Sequence, residues 1–172
     1  MKSKIVMVCA LAAAAALTAN AWAQTPMRVV AGDLNNNSKG FAGRFSMTEA
    51  PTGVLITVEV QGLAPGWHGM HLHEKGDCSA ADFTSAGGHM NHPTTKKAHG
   101  LLNPGGPDFG DLPNIYVSAD GSGKAEAFTT LVKMSDLKDA DGSAIVIHAN
   151  KDDHSAQPIG GAGARVACGV IR

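Results

Sequence analysis

The sequence has no block of basic residues. Its 14 Lys and Arg are scattered and nearly balanced by 15 Asp and Glu, so the formal net charge is −1. A chain without a basic patch has little to offer the phosphates of nucleic acid or of anionic lipid. We therefore expect no nucleic acid and no membrane among its partners. Aromatic side chains are also scarce, so the eight histidines stand out.

Long apolar runs are absent beyond residue 23. Before that point, Lys2 and Lys4 precede the apolar run 5–19, and Ala21-Trp22-Ala23 forms a small-residue cleavage site. This pattern predicts a cleaved secretory signal peptide over 1–23, with one domain over 24–172. Removing it takes the formal charge from −1 to −3, because every acidic residue follows it. We expect export to the periplasm.

Cysteine is also rare, with three residues in the chain. Cys9 lies inside the predicted signal peptide, which leaves Cys78 and Cys168. In an exported protein an even pair favours one disulfide over the alternative of two free buried thiols. Such a bond would close a loop of about 90 residues, worth at most about 4.5 kcal/mol in the chain-entropy model.

The remaining sequence predicts short strands separated by turns rich in Gly and Pro. Residues 53–62 alternate well, with Val54, Ile56, Val58 and Val60 on one face. An antiparallel sandwich or Greek-key barrel is the architecture that this pattern favours. The other predicted strands are 28–31, 41–47, 115–118, 124–130, 143–148 and 164–171, with a helical turn at 135–138.

Two long segments, 75–114 and 150–163, carry no strand pattern. Loops of this length are usually functional or disordered, and a disulfide at Cys78 favours function for the first. Histidines lie in or beside both: the eight are His68, His71, His73, His89, His92, His99, His148 and His154.

The histidine spacing indicates a metal site. On a strand His71 and His73 share one face, while Met70 and Leu72 point at the core. Several imidazoles with a nearby carboxylate suit copper or zinc and not calcium or magnesium. The alternative, a polar outer strand face, stays open on this spacing alone.

Six stretches carry a more specific resemblance: WHGMHLHEKGDC, SAGGHMNHP, AHG, FGDLPN, VIHANKDD and GGAGARVACGVI. With these, in this order over most of 24–172, the chain resembles the secreted bacterial copper,zinc superoxide dismutases. The resemblance implies an all-β fold: an eight-stranded antiparallel Greek-key barrel, akin to an immunoglobulin-like sandwich, with two long functional loops.

The resemblance also implies a role for each matching residue. Arg165 would receive the anionic substrate, Asp152 would link a copper histidine to a zinc histidine, and His68 would support the site by hydrogen bonds. Cys78 and Cys168 match the family disulfide. The implied copper ligands are His71, His73, His89 and His148, and His89 would bridge to a zinc ion that is also held by His99 and Asp111.

One position departs from the family pattern, which normally has His-x-Gly-Asp at the end of the zinc loop. This chain has Asp108-Phe109-Gly110-Asp111. A carboxylate oxygen and a histidine Nδ1 are both attached to Cγ, so Asp108 keeps the reach of the missing ligand, and we predict that it binds zinc. Two alternatives stay open: His92, in a loop two residues longer than usual, or a weak or empty zinc site.

The implied reaction is disproportionation of superoxide to oxygen and hydrogen peroxide, with copper and zinc as cofactors and His89 as a proton carrier. A periplasmic copper-binding protein on the same fold, with little or no dismutase activity, is the alternative. A purely structural barrel would not retain the ligand set. The sequence leaves a homodimer open.

Overall fold

The computed structural model describes residues 27–172, so the predicted signal peptide, 1–23, lies outside the described residues. Within them the chain forms nine strands, one 3-10 turn (Thr84–Ala86) and one short helix, α1 (Met134–Leu137). No helix in this part of the chain has the length and apolar character that crossing a membrane requires. The strands are β1 (Val29–Asn36), β2 (Phe41–Ala50), β3 (Gly53–Val60), β4 (Gly66–His68), β5 (Met70–His73), β6 (Ile115–Val117), β7 (Gly123–Thr129), β8 (Ser143–His148) and β9 (Arg165–Ile171).

All nine strands belong to one antiparallel sheet, in the order β4-β6-β7-β3-β2-β1-β9-β8-β5. The two edge strands, β4 and β5, are separated along the chain by Gly69 alone. Residues 66–73 therefore join the two edges and nearly close the sheet into a barrel. The predicted all-β antiparallel barrel is confirmed. The strand count is nine rather than eight because β4 pairs with β6, whereas β5 pairs with β8.

Gly69 is needed where the edge segment changes partners. A Cβ atom at this position would lie 2.8 Å from the Ala162 Cβ and 3.3 Å from the His71 ring. The Gly69 amide donates to Asn150 O, and its carbonyl accepts from the His148 amide. The chain thus passes close to β8 and to the second long loop, which a larger side chain would prevent.

The barrel interior follows from the alternation of the strands. Val54, Ile56, Val58 and Val60 of β3 are all buried, as the sequence pattern predicts. Burying a side chain of this size contributes about 1.5–3 kcal/mol. The same core contains Leu34, Phe45, Met47, Met70, Leu72, Leu112, Ile115, Val117, Ile145 and Ile147.

The strand β1 is longer than the sequence predicts. The sequence predicts a polar turn over 35–38 after the strand 28–31, but Asn35 and Asn36 pair with Cys168 and Ala167 of β9. The Asn36 side chain then accepts from the amides of Ser38 and Gly40, which forms the turn. Asn36 therefore serves both the strand and the turn, which composition alone does not reveal.

The two long loops cover the outer face of β5. His71 and His73 are buried like Met70 and Leu72, so both faces of this strand lie inside the protein. The first loop also pairs with the free edge of β5, because its residues form isolated bridges from Asp111 to His71 and from His89 to His73. This pairing brings loop side chains next to strand side chains.

A disulfide between Cys78 and Cys168 ties the first loop to β9, 90 positions further along the chain. The predicted pairing is confirmed.

Candidate metal centre

Four histidines from two strands and one loop form a single cluster. His71 and His73 come from β5, His148 ends β8, and His89 lies in the first loop. One ligand nitrogen of each lies within 4.8 Å of those of the other three. The ring centroids of His71 and His89 are 4.1 Å apart. The structure thus brings together all four predicted copper ligands.

Backbone carbonyls decide which ring nitrogen of His73 and His148 carries the proton. His73 Nδ1 lies 3.0 Å from Gly87 O, and His148 Nδ1 lies 2.9 Å from Gly163 O. A carbonyl oxygen can only accept, so each Nδ1 is the donor and each Nε2 keeps its lone pair. Both Nε2 atoms are buried and have no hydrogen-bond partner among the described residues.

The Asp152 carboxylate determines which ring nitrogen of His71 and of His99 carries a proton. Its two oxygens lie 2.8 Å from His71 Nε2 and 3.2 Å from His99 Nε2. Burial opposes ionisation of Asp152, but these hydrogen bonds hold its pKa well below its usual range. The carboxylate therefore accepts from both rings, so in the neutral form of each ring Nδ1 is the atom that can bind a metal.

Burial keeps three rings of the first cluster neutral. It lowers the pKa of His71 to about 3, that of His73 to about 2 and that of His148 to about 4. Positive charge on the neighbouring His89 would act in the same direction. The neutral imidazole is the form that binds a metal, so these three side chains are ready ligands at neutral pH.

A second cluster forms on the other side of His89. His99 Nδ1 and Asp111 Oδ1 approach to 2.5 Å, but they lack the alignment of a hydrogen bond. Burial alone would lower the pKa of His99, yet the carboxylates of Asp111 and Asp152 raise it to about 10. Two ligand atoms in such close contact are suited to sharing a cation.

Backbone amides hold one oxygen of Asp108 and one oxygen of Asp111. Asp111 Oδ2 accepts from the amides of Gly100 (2.7 Å) and Asp108 (2.9 Å), which leaves its Oδ1 facing His99. Asp108 Oδ1 accepts from the Gly110 amide at 2.9 Å, and its Oδ2 lies 3.1 Å from His89 Nδ1. Each carboxylate thus has one oxygen fixed by the backbone and one directed into the second cluster.

The set of mutually close ligand atoms on this side consists of His71, His89, His99 and Asp111. It contains His71 in place of the predicted Asp108. Since His71 Nε2 is hydrogen-bonded to Asp152, only its Nδ1 is free, and that atom also belongs to the first cluster. Asp108 lies outside this set and reaches it through the 3.1 Å contact between its Oδ2 and His89 Nδ1.

Arg165 lies beside the first cluster at the start of β9. Its guanidinium donates to Phe83 O at 2.5 Å and to Gly87 O at 2.6 Å. Gly87 O also accepts from His73, so Arg165 and a predicted copper ligand share one carbonyl. A cleft of about 430 Å³ reaches this point, and Arg165, His148, His89, Asp108 and Lys97 contribute to its lining.

The family model for copper/zinc superoxide dismutase matches residues 41–171. The chain belongs to this family. It is 58% identical over 137 residues to a Cu-Zn superoxide dismutase of Caulobacter vibrioides, a match covering 76% of this chain and 78% of the relative.

Two solved structures of family members have the same fold. A SOD-like protein from Bacillus subtilis superposes with a TM-score of 0.74 at 38% identity, covering 83% of this chain and 97% of that one. The Cu/Zn superoxide dismutase from Brucella abortus superposes with a TM-score of 0.68 at 30% identity, covering 84% and 100% respectively.

The side chains of this protein fit the two metals of the family. Neutral imidazole nitrogens suit copper, and imidazoles combined with carboxylates suit zinc. Seven buried side-chain atoms of the described residues lack a hydrogen-bond partner, and six of them belong to predicted ligand residues. These six are His71 Nδ1, His73 Nε2, His89 Nε2, His99 Nδ1, Asp111 Oδ1 and His148 Nε2.

His92, the rival for the zinc site, is occupied elsewhere. Its Nδ1 accepts from the amides of Thr94 (3.3 Å) and Thr95 (3.0 Å), and its ring packs edge-on against Phe109. It therefore stabilises a turn in the first loop.

His68 lies behind the first cluster. Its Nδ1 is 2.6 Å from His148 O and its Nε2 is 2.7 Å from Ala64 O. These are backbone contacts, as expected for a supporting residue.

His154 matches no metal ligand of the family, and from the sequence we expect it to be an exposed loop residue. This expectation is wrong. Its side chain is only 18% exposed, and its Nδ1, the seventh of the unpartnered buried atoms, lies 3.4 Å from Asp152 Oδ2. Sequence reasoning missed it because a histidine among Asp, Ser and Gln in a loop resembles a solvated residue. Asn114, the last residue of the FGDLPN motif, contacts the same ring and was the only available signal.

Proposed function

We propose that this protein is a superoxide dismutase that converts superoxide into oxygen and hydrogen peroxide, with copper and zinc as cofactors. The observation that carries the proposal is the convergence of four imidazoles, three of them buried and held neutral, beside an arginine in an open cleft. The alternative, a copper-binding protein with little activity, is not favoured because both the complete ligand set and Arg165 are present.

Copper, when bound, supplies the redox chemistry by alternating between Cu(II), which oxidises one superoxide, and Cu(I), which reduces the next. The ligand atoms would be His71 Nδ1 and the Nε2 atoms of His73, His89 and His148. The hydrogen bonds at the other ring nitrogens support this assignment, since they fix the tautomers of three of these rings.

His89 would carry the proton of the reduction step. Its Nδ1 faces the two carboxylates of the second cluster, so a zinc ion held there would keep the ring in place. Its Nε2 would then take up one proton and pass it to the peroxide, which would take its second proton from solvent to leave as hydrogen peroxide.

Arg165 would bind the superoxide anion. A guanidinium stays protonated and offers several donors in a rigid plane. Two of its nitrogens are fixed by Phe83 O and Gly87 O, which orients the group towards the cleft. We propose that it attracts and positions the anion next to copper.

We also propose that Asp108 completes the zinc site with His89, His99 and Asp111. The support is its buried position and the parallel with Asp111: one oxygen is fixed by the backbone and the other lies near His89 Nδ1. The contacts of His92 with Thr94 and Thr95 weigh against its role as the ligand.

Zinc binding by Asp108 variants tests this assignment. We expect Asp108→Ala to lower zinc affinity by more than about 100-fold, since even partners of ligands change metal affinity 10–100-fold. Asp108→His, which restores the family pattern, should retain zinc. Chelator competition on both variants, with His92→Ala alongside, gives the answer; undiminished affinity in Asp108→Ala would contradict the proposal.

The function itself is tested by titrating metal-stripped protein with copper and zinc. We expect superoxide dismutation to rise with copper content up to one copper per chain, while His148→Ala loses both copper and activity. Stoichiometric copper binding without dismutation would instead support the copper-binding alternative.

We further propose that the chain is exported to the periplasm after removal of residues 1–23. The lysine-apolar-alanine pattern of the first residues and the disulfide support this. N-terminal sequencing of the protein from a periplasmic fraction should begin at Gln24, and a start at Met1 would contradict it. Sedimentation of the same sample determines whether the protein is a homodimer, which the sequence leaves open.

A further inference from the structure

The seventh buried atom without a hydrogen-bond partner, His154 Nδ1, belongs to no predicted ligand. His154 lies in the second loop with a backbone φ of 61°. Few residues other than glycine adopt this left-handed conformation, although histidine is among the more tolerant. Its amide donates to Asp152 Oδ1 at 2.6 Å, and its carbonyl accepts from the Leu102 amide at 2.9 Å. Both backbone polar groups of His154 are thus hydrogen-bonded, the amide within the second long loop and the carbonyl to the first.

Asn114 determines the tautomer of the His154 ring. The Asn114 Oδ1 accepts from the Asp152 amide at 2.9 Å, which fixes the orientation of the side-chain amide. Its Nδ2 therefore points the other way, donating to Asp152 O and lying 2.9 Å from His154 Nε2. Because Nδ2 can only donate, the neutral ring accepts at Nε2 and carries its proton on Nδ1.

His154 Nδ1 lies 3.4 Å from Asp152 Oδ2, close enough for an electrostatic contact but without the alignment of a hydrogen bond. The two oxygens of Asp152 then have matching surroundings. Oδ2 accepts from His71 and is contacted by the His154 ring. Oδ1 accepts from His99 and from the His154 amide. Each oxygen is shared between His154 and one histidine of a predicted metal site.

We propose that His154 is a positioning residue that orients the Asp152 carboxylate between the copper and zinc sites. The inference rests on the proposed role of Asp152 in fixing His71 and His99. Its amide holds Oδ1 by a hydrogen bond and its ring contacts Oδ2, so His154 restricts rotation of the carboxyl group. The Nδ1 atoms of His71 and His99 therefore keep their directions when a metal binds or leaves.

Two substitutions separate the side chain of His154 from its backbone. Both Gly and Asn tolerate a positive φ, so neither should distort the loop. In His154→Asn the amide nitrogen takes the place of Nδ1 and can donate to Asp152, whereas His154→Gly lacks the donor. Ser155→Gly, at the exposed neighbouring position, controls for a loosened loop, and Asp152→Asn serves as reference.

The measurements are the rate of zinc loss to a chelator and the NMR signals of the His71 and His99 Nε2 protons in the reduced, metal-loaded protein. We expect His154→Gly to lose zinc about three to ten times faster than the unmodified protein. Mutating a direct hydrogen-bond partner of a metal ligand changes metal affinity about 10–100-fold, and His154 acts one step further away. Both Nε2 protons should also exchange faster with solvent. His154→Asn should restore both quantities to within about twofold of the unmodified protein, by the same donor argument.

Unchanged zinc loss and proton exchange in His154→Gly would overturn the proposal, as would equal acceleration in Gly and Asn variants or in Ser155→Gly. The Asp152→Asn variant distinguishes failure of the proposed role of His154 from failure of the proposed role of Asp152. If it accelerates zinc loss and His154→Gly does not, only the role of His154 fails. If Asp152→Asn has no effect either, the proposed role of Asp152 fails with it.

Discussion

At the scale of single residues, the metal-facing nitrogens of His73 and His148 each depend on a hydrogen bond at the opposite side of the ring. His73 and His148 donate to the carbonyls of Gly87 and Gly163, and this leaves Nε2 free in both. A side chain that lost its carbonyl partner could rotate or exchange tautomers. The Gly87 carbonyl has a second task, because Arg165 donates to it as well.

Arg165 offers a direct test of anion binding. We expect Arg165→Ala to lower kcat/KM for superoxide about tenfold or more, since a charged cleft raises the encounter rate of a small anion 10- to 1,000-fold. The dependence on salt should weaken too, because less attraction remains to be screened. Arg165→Lys, which keeps the charge, should retain much of the salt dependence. Pulse radiolysis over a range of ionic strengths measures both, and an Ala variant with unchanged rate and slope would remove this role.

Residue patterns predicted the strand ligands better than the loop contacts. The period of two placed His71 and His73 on one face, and the family resemblance added His89, His99 and Asp111. The position of His154 was not predictable in the same way. Its ring meets Asn114, 40 positions earlier, and no local pattern reports a contact between two loops.

At the scale of elements, the site exists because β5 is an edge strand with an open side. Its other edge pairs with β8, and the free edge receives the backbone around His89 and Asp111. Alternation predicted β3 and a short apolar run predicted β8, since burial determines the side chains of both strands. Neither pattern reports strand pairing. The division of residues 66–73 at Gly69 could therefore not be predicted, because strand pairing is decided by partners far away in sequence.

The disulfide joins the element that carries Arg165 to the loop that holds it. Cys168 lies on β9 together with Arg165, and Cys78 begins the loop segment that contains Phe83 and Gly87. Replacing both cysteines by serine should lower the free energy of unfolding by about 2–4.5 kcal/mol. We also expect kcat/KM to fall while copper content is retained, since the histidines are held by other contacts.

Urea unfolding and metal analysis of the double variant, compared with the oxidised unmodified protein, check this prediction. Loss of copper in parallel with activity would show that the disulfide holds the ligands rather than the arginine.

At the scale of the whole molecule, the buried imidazoles make stability dependent on bound metal and on pH. Removing the metals leaves three buried rings that resist protonation, with pKa values of about 3 for His71, 2 for His73 and 4 for His148. An unfolded histidine titrates near 6.5. As the pH falls below that value, the unfolded chain binds three protons that the folded chain refuses, so acid destabilises the metal-free fold.

His99 acts in the opposite direction, because its pKa is raised to about 10. Its proton stabilises the folded metal-free protein below pH 6.5, and this contribution is lost as the pH rises through the folded value. From these four imidazoles alone, the stability maximum lies at about pH 7, with a steep acid side and a shallow alkaline side. On the acid side, the free energy of unfolding should fall by about 4 kcal/mol for each pH unit, the value for three protons.

Urea unfolding of chelator-treated protein between pH 5 and 9 measures this curve, and the metal-loaded protein is the matched control. Bound metal occupies the same ring nitrogens that would otherwise take up protons, so the loaded protein should keep its stability to lower pH. A flat profile for the metal-free protein between pH 7 and 5 would mean that the imidazoles of β5 and β8 are open to protons in the folded state. The loops would then not seal the outer face of β5, and the ligand cluster would need its metals to form.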